Sequence, residues 1–108
     1  MIVLVDTNIL LDVLQARKPH DAAAARVWAL VEEGALSGYV SAISFNNVFY
    51  IARKQGGRDR ALEAVKLIRA TFQVVPLDEA VLDGALATAG SDLEDAIQAA
   101  AALRVGAD

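Results

Sequence analysis

Residues 1–14 read MIVLVDTNILLDVL, and the stretch divides at Asp6. Ile2 to Val5 form a continuous apolar run too short for a helix, the pattern of a parallel strand covered on both faces. From Thr7 onward, Ile9, Leu10, Val13 and Leu14 recur at helical spacing, with Thr7 or Asn8 available as N-cap. A strand running straight into a helix begins an α/β domain, and ligands of such domains gather at the carboxyl ends of strands. Asp6 sits at that end. If the strand is central, its carboxylate lies in a crevice of low dielectric, where without a partner it would protonate or recruit a cation.

The rest of the chain continues the alternation. RKPHD interrupts the first helix around Pro19; the alanine-rich DAAAARVWALVEEG, from Asp21, reads as a helix stopped by Gly34; SGYVSAI follows as a strand. Ser44 is placed to cap a helix through FNNVFYIARKQ that ends at Gly56 and Gly57, and DRALEAVKLIRAT is amphipathic, with Leu62, Val65, Leu67 and Ile68 inside. FQVVP is a third strand. Asp78 can cap EAVLDGALATAG, and Ser91 or Asp92 can cap LEDAIQAAAALRV, which stops before Gly106. There is no internal repeat, linker or low-complexity segment. The expectation is one domain over residues 1–108, a three-layer α/β/α sandwich with a central parallel sheet.

Composition narrows the function. The chain has 108 residues, 56% of them hydrophobic, enough for a packed core. It has no cysteine, which excludes disulfide staples and thiolate zinc sites. No apolar run approaches the roughly 20 residues of a membrane span, and the start lacks the features of a signal peptide, so a soluble, cytoplasmic protein without a membrane partner is expected. The net charge of −4 and pI near 4.8 give no polycationic surface, but IARKQGGRDR is locally basic, and an acidic site can engage a phosphate through a divalent cation. No glycine-rich phosphate loop follows the first strand, which argues against a nucleotide-cofactor enzyme.

Asp92 and Asp95 are three apart at the start of the last helix, on one face of its first turn, with Glu94 adjacent. Alone, such a trio serves capping and the helix dipole. Together with Asp6 it makes a set of hard oxygen donors, suited to Mg²⁺ or Mn²⁺ rather than zinc.

The sequence resembles the PIN domain, the metal-dependent ribonuclease fold of VapC-type toxins in bacterial toxin-antitoxin pairs. VLVDTNILLDVL, SAISFNNVFYIARK and DLEDAIQAAAAL match the family's blocks in order. The resemblance implies Asp6 and Asp95 as metal ligands, Asp92 as a further ligand or water-holder, and Asn47 as a weak ligand where active toxins carry a glutamate. It implies an RNA substrate, hydrolysis of phosphodiester bonds and a cognate antitoxin; a homodimer or higher oligomer is expected besides. The family continues past GAD into a further strand and an acidic loop, so the domain is expected to be C-terminally incomplete. In the family's sheet order IVLV then becomes an exposed edge. The alternative is a catalytically inactive PIN-like protein acting in partner binding or dimerisation.

Other polar residues have simpler readings. Asp12 reads as a solvated or locally paired charge, Ser44 as a helix cap, and His20 as an exposed loop residue. Asn8 or Thr7 is placed to orient Asp6. Trp28, Phe45, Phe49, Tyr50 and Phe72 fall at apolar positions, Tyr50 also suiting a dimer face; Arg53, Lys54, Arg58 and Arg60 are candidates for RNA backbone contacts.

Overall fold

In the computed structural model, which describes residues 1–108, β1 (Ile2–Leu4) leads through Val5 and Asp6 into α1 (Thr7–Leu14). The elements that follow are α2 (Asp21–Glu32), β2 (Ser37–Ser41), α3 (Ala42–Gly56), α4 (Arg58–Thr71), β3 (Gln73–Val75), α5 (Glu79–Thr88) and α6 (Leu93–Val105). Every strand and helix expected from the periodicity is present. Two helix starts differ from expectation. Asp6, not Thr7 or Asn8, caps α1, its side chain accepting from the Ile9 amide at 3.0 Å. α3 begins at Ala42, directly after β2, so Ser44 lies inside its first turn and is fully buried instead of capping it. Asp78 and Asp92 cap α5 and α6 as expected, and Gly106 closes α6 in the left-handed conformation.

The three strands form a parallel sheet in the order β1-β2-β3, with Val3 opposite Gly38 and Val40 opposite Val74. Both crossovers step the same way across the sheet, so with the usual right hand they lay their helices on one face. The larger core confirms this: Val5, Leu10, Leu11, Trp28, Val40, Val48, Ile68 and Phe72 join α1 through α4 to that face. The rings of Trp28 and Phe72 meet edge to face, centroids 5.0 Å apart. On the other face α5 and α6 pack through Val81, Ala85, Ala96 and Ile97. Three layers result. Gly38 leaves room for Val31 of α2 and for Phe72, since a Cβ there would stand 2.7 Å from Val31 Cγ2 and 2.8 Å from Phe72 Cδ1.

The apolar first strand, read as covered and central, lies at the sheet edge and is only half-buried, the outcome attached above to the family's strand order. Residues 3 and 5 direct their backbone groups toward β2, as the 2.8 Å bond from the Val5 amide to the Tyr39 carbonyl shows. Residues 2 and 4 therefore direct theirs outward. The Ile2 pair is taken by Asp108: its amide donates to the Ile2 carbonyl at 2.8 Å and its Oδ2 accepts from the Ile2 amide at 2.8 Å. No helix is long and apolar enough to cross a membrane.

Candidate acidic site at the strand ends

Asp6 follows β1 and is exposed. The low-dielectric crevice expected for it does not form, because an edge strand ends in reach of solvent. One carboxylate oxygen caps α1 and the other is uncommitted. Asp92 repeats the arrangement on α6, its Oδ1 accepting from the Asp95 amide at 3.3 Å. Asp95 is exposed in the first turn, where the helix dipole favours its charge.

The side chain that turns inward from α6 is Glu94. Its Oε2 accepts from the Thr7 hydroxyl at 3.2 Å, joining the β1–α1 junction to a helix that begins 86 residues later. Thr7 is buried and also shares a 2.9 Å bond with Ser44 Oγ, which in turn accepts from Gln98 Nε2 at 2.9 Å. The chemistry of the two ends fixes the proton order. An amide NH₂ only donates and an ionised carboxylate only accepts, so Gln98 donates to Ser44, Ser44 to Thr7 and Thr7 to Glu94. Donors aligned in one direction polarise one another, and the chain terminates on the carboxylate.

Buried polar atoms without partners lie along the same seam: Ser41 Oγ, Asn47 Nδ2 and Gln98 Oε1. Ser41 is at the end of β2, and continuing the register by two residues places it opposite Asp6. Val40 points into the larger core, so by alternation Ser41 points to the α6 face. Asn47 follows Ser44 by one turn of α3 and is half-buried.

Thr7, Ser44, Glu94 and Gln98 are thus the residues sequence reasoning undervalued. Glu94 and Gln98 do carry a signal, being four apart and so on one helix face. Thr7 and Asn8 do not orient Asp6; Asn8 instead receives Arg17, whose Nη2 reaches its backbone oxygen at 3.1 Å while Nε pairs with Asp12 at 2.9 Å. Asp12 is locally paired and His20 exposed, as expected. Tyr50 is exposed and not core, with Lys54 Nζ 4.4 Å from its ring centroid. Arg53, Lys54, Arg58 and Arg60 are exposed around the α3–α4 turn, at the end of α3 away from Ser44.

Two carboxyls outside the site are held below the usual carboxylate range. For Asp78 the Val81 amide is the main cause, with Arg104 adding its charge; for Asp21 it is the hydrogen bond from Lys18.

No three histidine, aspartate or glutamate side chains come together in a group able to hold a metal ion. The expected cage of Asp6, Asp92 and Asp95 is therefore not assembled: Asp6 and Asp92 each commit one oxygen to a helix cap, and Asp95 points to solvent. The donor types nonetheless fit a hard cation, since Asp6 and Asp92 each keep one carboxylate oxygen outside their caps and Gln98 Oε1 is unpaired, with no sulfur or imidazole among them.

The family model for the PIN domain matches residues 2–108. No curated protein matches the chain in sequence. Among solved structures, the chain is similar to one in the VapBC2 complex of Rickettsia felis bound to a promoter DNA fragment, with 14% identity and TM-score 0.73, covering 99% of this chain and 84% of that one. It is likewise similar to VapC20 of Mycobacterium tuberculosis, a sarcin-ricin loop cleaving toxin, with 16% identity and TM-score 0.78, covering 99% and 85%. At these identities the likeness shows a shared fold.

Proposed function

The chain belongs to the PIN domain family, and on that footing we propose that it is a metal-dependent endoribonuclease, the toxin of a toxin-antitoxin pair. The observation that carries the reading is the Thr7–Glu94 hydrogen bond, which draws the first turn of α6 to the strand end bearing Asp6. The bond ties Glu94 to the residue that follows Asp6, although 87 positions separate Thr7 and Glu94 in the chain. Asp6 and Asp95, with Asp92, would hold Mg²⁺ or Mn²⁺, and the Asn47 carbonyl would add an uncharged oxygen. When bound, such a cation supplies positive charge that acidifies a water and neutralises a phosphodiester.

The chain's own residues do the positioning. Asp6 is fixed by its cap on Ile9 and keeps one oxygen free; the exposed basic residues of the α3–α4 turn suit contacts with an RNA backbone at a distance from the scissile bond. An RNA substrate and a cognate antitoxin are consistent with the structural relatives, one of which belongs to a VapBC2 complex on promoter DNA and one of which cleaves the sarcin-ricin loop.

A second reading, an inactive PIN-like protein acting through a partner or a second copy, is favoured by the unassembled metal cage and by the exposed Leu82, Leu86, Leu93 and Leu103 on α5 and α6. Cleavage of a mixed RNA substrate with Mn²⁺, with chelator, and by Asp6→Asn separates the two. The nuclease reading expects cleavage only by the unaltered chain with metal. Cleavage that survives both chelator and substitution, or is absent throughout, overturns it.

A further inference from the structure

We propose that Glu94 is a working carboxylate of this site, oriented by Thr7 and sharing a divalent cation with Asp6. The inference rests on the metal-dependent reading above and adds a residue to it. Of the acids at the strand ends, Asp6, Asp92 and Asp95 are exposed and only Glu94 is half-buried. It has no basic partner: the ion pairs of the molecule are Arg17–Asp12, Lys18–Asp21 and Arg104–Asp78. A partly desolvated carboxylate without a counter-charge is a position where a cation is gained at little cost.

Glu94 is also prepared for it. The hydroxyl of Thr7 holds Oε2, and Oε1 makes no hydrogen bond within the protein. Thr7 adjoins Asp6 in the chain, so the residue that fixes Glu94 is next to the one that keeps a carboxylate oxygen uncommitted. The donors Gln98, Ser44 and Thr7 form one chain of hydrogen bonds that ends on Glu94 and fixes its orientation.

An independent observation comes from β2. Ser41 is 1% exposed, its hydroxyl has no partner, and the register sets it opposite Asp6 on the α6 face. A buried hydroxyl left unpaired on the face that α6 covers, in register with Asp6, is what the coordination shell of an oxygen-loving cation, with its waters, would satisfy.

The test is calorimetric titration of the full chain with Mn²⁺, alongside urea unfolding with and without Mn²⁺, for the unaltered protein, Glu94→Gln and the distant surface control Asp83→Asn. Glutamine still accepts from Thr7, so the metal-free unfolding midpoint should be kept. Affinity for Mn²⁺ should fall about tenfold or more in Glu94→Gln, with loss of the metal-induced rise in midpoint. Asp83→Asn should match the unaltered chain. Equal Mn²⁺ affinity in Glu94→Gln and the unaltered chain overturns the assignment while leaving the nuclease reading intact. An unaltered chain that takes up no Mn²⁺ overturns both.

Discussion

Asp6 serves two roles with two oxygens. Oδ1 caps α1, and an asparagine does this as well as an aspartate, so Asp6→Asn should change stability by no more than about 0.5 kcal/mol while removing the charge at the strand end. Urea midpoints measured beside cleavage rates check the separation; a large loss of stability would mean that the carboxylate does structural work beyond the cap. Asp78 behaves differently. Its folded form is held below the usual carboxylate range by the Val81 amide and by Arg104, so ionisation and folding favour one another. The resulting stabilisation is present above the ordinary aspartate range and is lost as the pH falls below about 4 and through the depressed native value. Unfolding of Asp78→Asn measured from pH 6 to 3 should therefore show a shallower acid slope than the unaltered chain. The residues most legible in the sequence were those with a positional role, such as Asp6 after a strand and Asp78 and Asp92 before helices. Glu94 was not, because nothing in its local pattern says that a threonine from the first helix will meet it.

Among the elements, α3 shows where pattern reading slips. A serine preceding a periodic apolar run is a good cap signal, yet β2 passes into α3 with no connecting loop, and Ser41 takes the position before the helix. Ser44 is thereby turned inward to bridge Thr7 and Gln98. Ser44→Ala should cost about 1–3 kcal/mol, since Thr7 loses its donor and Gln98 its acceptor inside the protein; a smaller loss would show that water replaces the hydroxyl. The seating of α2 makes a second element-scale prediction. With Val31 and Phe72 well inside contact distance of an added Cβ, Gly38→Ala should destabilise the domain by about 1–3 kcal/mol, read as a lower urea midpoint at unchanged slope. The close contact itself was invisible beforehand, because glycine in a short strand carries no sign of which neighbour presses on it.

For the molecule as a whole, the order of strands and helices and the three-layer arrangement followed from hydrophobic periodicity, which sees burial along the chain. Periodicity does not see which strand lies at an edge. The apolar Ile2–Leu4 reads as interior from its residues alone, and only a count of available strands points the other way. The open edge has a measurable signature: the Leu4 amide, directed away from β2, should exchange with deuterated solvent much faster than the Val5 amide bonded to Tyr39. Comparable protection at both would mean that the edge is covered in solution. The two bonds between Ile2 and Asp108 carry a different implication, about connectivity. They set residues 2 and 108 side by side, so a short flexible linker could join these two positions, and a new opening could be cut at the exposed Gly57 between α3 and α4. Such a circular permutant would visit the same helices and strands from a different starting point. The architecture described here would then be a property of which segments are neighbours, independent of which is made first.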